Sequence, residues 1–246
     1  MNSDQLYIHI PAQTLAARVN FLIDQRLQPE VACQDVELDA LDFYQLEEVA
    51  AQLDEEGLGT ALHAPYHGYK PGSQKPANRA YSQALTEKTL QLAEVLRANR
   101  VIFHPGLAQG NDPHKLESWL TNSLAFWRQY LGDAERIGTT LCIENIYMPQ
   151  PDILKQLLDT INSPYLGHVF DVGHWNMFAR IPLRDWLERM APHLKHLHLH
   201  DNRGDQDSHQ PIGSGSVPFE DLFNWLATHR PPTTMTLENR TLEEVL

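Results

Sequence analysis

The stretch TLCIENIYMPQPDILKQLLDTINSPYLGHVFDVGHW, residues 140–175, contains a strand, a helix and a second strand in that order. Thr140–Glu144 and His168–Val172 are short β-rich runs. Between them, Pro151–Ile161 spaces its apolar residues as a helix does, and Asp152 after Pro151 is typical of a helix start. Two strands joined in this way pair in parallel through a right-handed crossover. The stretch therefore predicts parallel α/β structure.

The same alternation extends over the whole chain. The other β-rich runs are Leu6–Ile10, Glu30–Cys33, Thr60–Tyr66, Arg100–His104, His196–His200 and Met235–Glu238. The other helical stretches are Ala12–Arg26, Phe43–Glu56, Asn78–Ala98, His114–Arg136, Pro182–Met190 and Pro218–His229. This pattern fits two folds, an open doubly wound sheet or a closed (β/α)8 barrel. The open sheet has two edge strands, whereas in the barrel the first and last strands pair.

Two observations favour the barrel. The segment IHIPAQT, at the end of the first strand, contains no glycine, which argues against the phosphate-binding loop of a dinucleotide-binding open sheet. The length of 246 residues matches the ~250 residues of a typical α/β barrel, and no change of composition marks a second domain. We predict that residues 1–246 form a single-domain (β/α)8 TIM barrel.

The last strand is followed by few residues. Residues 240–246 suffice for about two helical turns, so we expect the eighth helix to be short or missing. Either Leu242, Val245 and Leu246 seal the seam alone, or the segment before the first strand or a second subunit covers it. The last case predicts a homodimer.

Composition limits the class of protein. The 19 basic and 32 acidic residues give a net charge of −13, which argues against a surface that coats nucleic acid. No apolar run approaches the ~20 residues that span a bilayer, and the start MNSDQLYIHIP does not resemble a signal peptide. Cys33 and Cys142 lie in apolar runs and are predicted to be buried free thiols. We expect a cytoplasmic protein without disulfides or a membrane partner.

Six consecutive predicted strands end in residues that can bind a metal. They are His63 in LHAPYH, His104 in VIFHPG, Glu144 in LCIENIY, Asp171 and His174 in VFDVGHW, His198, His200 and Asp201 in HLHLHDN, and Glu238 in MTLENR. In an α/β barrel these strand ends meet at the rim where active sites form. Clustered carboxylates and imidazoles need a counter-charge, which a cation supplies. Ligands without thiolate suit zinc, manganese or iron.

The motifs HAPY, FHPG, IEN, FDVGH, HLHDN followed by DSHQPIGSG, and LEN resemble those of the xylose isomerase-like TIM barrels. That superfamily contains endonuclease IV together with sugar isomerases and epimerases. Its isomerase and epimerase branch typically binds one metal, through positions that match Glu144, Asp171, His198 and Glu238. Endonuclease IV binds three zinc ions and adds positions that match His63, His104, His174, Asp207 and His209. This sequence contains all nine residues.

The resemblance implies up to three divalent ions per chain, with zinc or manganese favoured. His63, His104 and Glu144 would hold one. Glu144 would bridge to a second, completed by Asp171, His198 and Glu238. The third would be held by His174, Asp207 and His209.

Three functions remain open from the sequence. A three-metal site suits phosphoester hydrolysis, with Glu144 and Glu238 as the catalytic carboxylates that position the metals and a water. A one-metal site suits a sugar or sugar phosphate isomerase or epimerase, in which the same two carboxylates act as acid and base. A barrel that only binds metal is less favoured, because the predicted ligands line an open rim. The complete set of nine residues favours the hydrolase.

The charge favours a small substrate. An abasic-site DNA endonuclease needs a cationic track along the duplex, and the basic residues predicted near the rim are Lys70, Lys75, Arg79, Arg203 and Arg240. Five such residues suffice for one or two phosphates. We therefore predict a small phosphorylated metabolite rather than duplex DNA, with Arg79, Arg203 and Arg240 as substrate-binding residues.

Overall fold

The computed structural model describes residues 5–33, 38–108, 110 and 112–239. Eight parallel strands close into a barrel in the order of the sequence. They are β1 (Leu6–Pro11), β2 (Gln28–Ala32), β3 (Ala61–His63), β4 (Arg100–Phe103), β5 (Thr140–Glu144), β6 (Leu166–Asp171), β7 (Leu194–Leu199) and β8 (Thr234–Leu237). The barrel closes where Tyr7 of β1 pairs with Thr236 of β8. The predicted (β/α)8 fold is confirmed.

Helices surround the strands. Within the described residues they are α1 (Leu15–Gln25), α2 (Phe43–Glu55), α3 (Pro76–Val95), α4 (Pro113–Arg128), α5 (Leu131–Ile137), α6 (Asp152–Ile161), α7 (Val172–Phe178), α8 (Leu183–Met190) and α9 (Phe219–His229). The longer helices bury apolar residues against the barrel; in α6 they are Leu154, Leu157 and Leu158. Burial of each such leucine contributes about 1.5–3 kcal/mol, which orients the helices and thereby the strand ends. None of the described helices is long and apolar enough to cross a membrane.

The predicted helix His114–Arg136 is two helices, α4 and α5. The chain bends at Tyr130, whose N–H donates to the Trp127 carbonyl in a tight turn and whose ring packs on Phe126. Gly132 follows this turn and weakens helical continuity further. The interruption arises from side-chain packing that periodicity does not report.

Helix α7 was not predicted from the sequence. It starts directly after β6, because the Asp171 carboxylate caps its N-terminus by accepting a hydrogen bond from the His174 N–H at 2.6 Å. As a result, β6 and α7 together carry two of the predicted ligands.

Other differences lie at the ends of elements. Strand β3 ends at His63 rather than Tyr66, since Pro65 cannot donate to a strand ladder. Cys33 and Cys142 are buried free thiols, as predicted, and burial raises the pKa of each to about 12. Leu242, Val245 and Leu246 of the expected eighth helix lie outside the described residues, so the dimer stays a prediction.

Candidate metal centre

All nine predicted ligands lie at the carboxyl-terminal end of the barrel. His63, Glu144, Asp171 and His198 are near the ends of their strands, His104 and Glu238 directly follow β4 and β8, and His174 is in the first turn of α7. Asp207 and His209 come from the loop between β7 and α9. Strand ends bring together residues that are far apart in the sequence, which is why the fold creates the cluster.

Glu144 lies at the centre of the cluster and is almost fully buried. Its Oε2 atom is 3.3 Å from His63 Nε2 and 3.4 Å from His104 Nε2. Its Oε1 atom is 2.8 Å from His174 Nδ1. The ligand atoms of His63, His104 and Glu144 all lie within 4.8 Å of one another, so these three residues can hold one cation.

A second group surrounds His198. Its Nδ1 atom lies 3.4 Å from Glu238 Oε1, 3.7 Å from Glu144 Oε2 and 3.9 Å from Asp171 Oδ2. The nitrogen is buried and has no hydrogen-bond partner among the described residues. An imidazole nitrogen that faces three carboxylates without a hydrogen bond is the arrangement that a divalent cation would complete.

The third group contains Asp207, His174 and His209. Asp207 Oδ2 lies 3.3 Å from His174 Nε2 and 3.3 Å from His209 Nε2. His209 has left-handed backbone geometry with φ of 47°, and its Nδ1–H donates to the Glu238 carbonyl oxygen at 2.8 Å. That hydrogen bond leaves Nε2 as the metal-capable nitrogen.

Asp201 holds the loop that carries Asp207 and His209. Its carboxylate accepts hydrogen bonds from the N–H groups of Gly213, Gly215 and Val217. A Cβ atom on Gly215 would lie 2.2 Å from the Asn202 carbonyl oxygen, so only glycine allows this close approach. Asp201, a metal-capable residue in the sequence, is therefore used to shape the loop.

The charges of the cluster are strongly coupled. Burial opposes ionisation of Glu144, but the surrounding imidazoles, His104 first, hold its pKa well below its ordinary value. Burial also opposes protonation of His198, but Glu238 and Glu30 raise its pKa well above the ordinary value. His209 follows the same pattern: Asp207 and Glu238 outweigh burial and raise its pKa to about 9. Protons on these imidazoles supply the positive charge that a cation would otherwise bring.

The cluster forms the floor of a cavity of about 290 Å³. Its walls include Tyr66, which stacks on His104 with ring centroids 4.4 Å apart, and Lys70. A largely apolar groove of about 490 Å³ adjoins it and shares Leu107 and Tyr147. The site is therefore open to a small molecule with a polar and an apolar part.

The sequence model of the xylose isomerase-like TIM barrel family matches residues 28–244. The chain belongs to this family. The probable endonuclease 4 of Acholeplasma laidlawii is 20% identical over 207 residues, which cover 74% of this chain and 68% of that protein. Among the curated relatives, the matches span between 66% and 74% of their lengths.

Two solved structures are similar to this protein over almost the whole chain. A protein of Thermus thermophilus, studied after soaking with ZnCl2, is 25% identical with a TM-score of 0.77, and the alignment covers 96% of this chain and 92% of that one. A D-tagatose 3-epimerase-like protein is 20% identical with a TM-score of 0.81, and the alignment covers 98% of this chain and 92% of that one. The second likeness shows the shared fold alone.

Two fully buried residues contact the predicted ligands and were not themselves predicted as ligands. Glu30 is fully buried in β2 and lies 3.1 Å from His198 Nε2; its only signal was an acid within the strand QPEVA. His200, a metal-capable residue in the sequence that is not one of the nine ligands, is fully buried, with Nε2 3.2 Å from Asp171 Oδ2 and its ring stacked on His209 at 3.9 Å. Gly173 makes room for it, since a Cβ there would lie 2.1 Å from the His200 ring.

The predicted arginines are not brought together. The Arg79 guanidinium donates to the carbonyl oxygens of Ser73 and Gln74 and lines a surface hollow that shares no residue with the cavity, so its assignment to the substrate stays a prediction. Arg203 is exposed in the loop after β7 and does not line the cavity. Arg240 lies outside the described residues. Lys70 is the basic residue that the described part of the cavity wall contains.

Proposed function

We propose that the protein is a divalent-metal-dependent phosphoesterase that acts on a small phosphorylated metabolite. The observation that carries the proposal is the third group, in which Asp207 approaches both His174 and His209 at 3.3 Å. A one-metal isomerase has no need of this group. Its proximity to Glu144, through His174, supports a site in which several cations act together.

The nine residues fit such cations. Their donors are nitrogen and carboxylate oxygen, which suit zinc or manganese, and the buried His198 Nδ1 is directed into the cluster without a hydrogen bond. When bound, neighbouring divalent cations would neutralise phosphoryl oxygens and would lower the pKa of a water molecule. We assign His63, His104 and Glu144 to one cation. Glu144, Asp171, His198 and Glu238 are assigned to a second, and His174, Asp207 and His209 to a third.

The remaining chemistry belongs to the protein itself. Glu144 and Glu238 both line the cavity, where their carboxylates would hold the cations and orient a water molecule. The Lys70 side chain offers a positive charge to a phosphoryl oxygen. Tyr66 and Tyr147 supply aromatic walls for the organic part of the substrate. The net charge of −13 and the dimensions of the cavity support a small phosphoester rather than duplex DNA.

A one-metal sugar isomerase or epimerase is the second candidate. It is favoured by the placement of Glu144 and Glu238 around His198 Nδ1, at 3.7 and 3.4 Å. Two carboxylates in such positions can exchange protons with a carbon next to a sugar carbonyl. In this function Asp207 and His209 would be dispensable for the chemistry.

Replacement of His209 separates the two candidates. We expect His209→Ala to lower hydrolysis of bis-p-nitrophenyl phosphate, measured with added Zn²⁺ or Mn²⁺, by more than ~100-fold, beyond the loss typical for residues that only support metal ligands. The matched control is His193→Ala, because His193 pairs with Asp159 on the outer surface. Turnover of a panel of ketoses by wild type and by His209→Ala, without phosphoester cleavage, would establish the isomerase instead.

A further inference from the structure

Glu30 joins the candidate metal centre to the interior of the barrel. Its carboxylate is fully buried, and β2, which carries it, is not a neighbour of β7, so the side chain reaches across the lumen. His198 Nε2 lies 3.1 Å from Oε1 and 3.3 Å from Oε2 of Glu30. The other partners of Oε2 are His196 Nε2 at 3.1 Å and the Thr236 hydroxyl at 2.6 Å.

The two imidazoles on β7 differ in their partners. His196 and His198 are two residues apart, so both side chains point into the barrel. Each nitrogen of His196 meets a threonine hydroxyl, from Thr234 at 2.6 Å and from Thr236 at 2.7 Å. The Thr236 hydroxyl gives its one proton to Glu30, so His196 Nε2 is the donor and its Nδ1 accepts from the Thr234 hydroxyl.

His198 has no hydroxyl partner in the described structure. Its Nε2 contacts Glu30, and its Nδ1 faces the carboxylates of Glu238, Glu144 and Asp171. An ionised carboxylate only accepts hydrogen bonds. Nε2 of His198 must therefore carry a hydrogen and donate it in the hydrogen bond to Glu30. A neutral imidazole has one such proton, and Nδ1 then keeps a free lone pair directed at the cluster.

We propose that Glu30 is a positioning residue for metal binding: it holds His198 in the tautomer protonated at Nε2 and so directs the Nδ1 lone pair to the cation. The proposal rests on the metal binding included in the proposed function and is independent of the reaction. A carboxylate behind a histidine ligand also fixes the orientation of the ring and makes the nitrogen a stronger ligand.

Glu30, His196 and His198 could instead form a separate cation site. The ligand atoms of Glu30, His196 and His198 lie within 4.8 Å of one another. However, the Thr236 hydroxyl already bridges Glu30 and His196, and a cation bound to His198 Nε2 would leave Nδ1–H pointing at the centre. The hydrogen-bonded arrangement therefore agrees better with the contacts, and the two uses predict different metal stoichiometries.

The test is the zinc affinity of Glu30→Gln, measured by competition with a chelator on folded, metal-free protein. Glutamine keeps the shape but loses the charge, and its amide can present N–H groups to His198. We expect zinc affinity to fall by ~10–100-fold while the number of ions bound at saturation stays the same. The control Thr236→Val removes a hydroxyl from Oε2 and leaves the Glu30–His198 contact, so it should change the affinity far less than tenfold.

The tautomer provides a second readout. Long-range ¹H–¹⁵N spectra of histidine-labelled protein, assigned with His198→Asn, should show the Nε2–H form of His198 in the zinc-loaded wild type. Unchanged zinc affinity in Glu30→Gln would overturn the proposal, as would the loss of one ion at saturation with the others bound normally.

If Glu30→Gln does not fold, Glu30→Asp replaces it, because aspartate keeps the charge and withdraws the carboxylate by one methylene. Wild-type zinc affinity in Glu30→Asp would then overturn the proposal. A wild-type protein that binds no divalent metal would contradict the proposed function first, before any variant is compared. Absence of hydrolysis with normal zinc binding would contradict only the reaction.

Discussion

His168 and His198 are both fully buried on adjacent strands, β6 and β7, but their nitrogens have opposite kinds of partner. His168 Nδ1 donates to the Ile143 carbonyl at 3.0 Å, and Nε2 accepts from Trp186 Nε1 at 3.4 Å. Burial lowers the pKa of His168 to about 4, whereas Glu238 and Glu30 overcome burial and raise the pKa of His198. Neutral partners on both nitrogens identify a structural histidine. A nitrogen that faces only carboxylates identifies a candidate metal ligand.

Metal removal has the largest expected effect. It should change the surroundings of candidate metal ligands such as His198 and leave those of the structural His168 as they are. Dialysis against a chelator should abolish phosphoester hydrolysis. It should also lower the melting temperature, because a cation present at 100 times its dissociation constant stabilises the folded state by about 2.7 kcal/mol. For a chain of this size, that corresponds to roughly 5–10 °C.

Calorimetry before and after chelation, followed by return of Zn²⁺ or Mn²⁺, measures this effect. A chelated protein with the original melting temperature and activity would remove the distinction between the two kinds of histidine.

An exchange of substitutions has the next largest effect. His168→Leu removes the partners of the Ile143 carbonyl and Trp186 Nε1, and a buried polar group left without a partner costs about 1–3 kcal/mol. We expect a lower free energy of unfolding in urea and an unchanged zinc affinity. His63→Leu, in contrast, should lower the zinc affinity more than tenfold, because His63 approaches Glu144 in the cluster.

Both measurements are made on the metal-free form of each variant, which separates folding stability from metal binding. A large loss of zinc affinity in His168→Leu would show that the surroundings of His168 are coupled to the metal centre. Wild-type zinc affinity in His63→Leu would remove His63 from the predicted ligands.

The sequence predicts the ligand end of the barrel well because each strand there changes abruptly from apolar residues to a histidine or a carboxylate. Glu144 and Asp171 could be recognised in this way, since the ends of parallel strands meet wherever the helices pack. Glu30 could not, because its partner His198 lies across the lumen, and no local pattern reports which strands face each other across a barrel.

Arg79 shows a second limit of the sequence. Its position near the predicted rim suggested a substrate contact, but no local pattern showed that the guanidinium donates to the carbonyl groups of the segment just before α3. Helix α7 shows a third limit, since its start depends on one hydrogen bond from the His174 N–H to Asp171. Hydrogen bonds formed by irregular segments are decided by tertiary structure, which hydrophobic periodicity does not describe.

The smallest predicted effect is a pH dependence specific to His168. As the pH falls through 6.5, the unfolded chain protonates this imidazole, whereas the folded protein excludes the proton until the pH approaches 4. The contribution of neutral His168 to stability is therefore complete above pH 6.5 and is lost between pH 6.5 and 4. In His168→Leu this loss is absent, so the difference in unfolding free energy between variant and wild type should narrow by roughly 1–2 kcal/mol from pH 7 to pH 5.

Urea titrations of the metal-free proteins at both pH values measure this difference. The contributions of the clustered histidines to it cancel, because both proteins contain them. His193→Leu, which removes an imidazole paired with Asp159 near the surface, is the control and should not reproduce the narrowing. Parallel pH profiles for wild type and His168→Leu would mean that His168 takes up its proton equally in both states, contrary to its hydrogen bonds with Ile143 and Trp186.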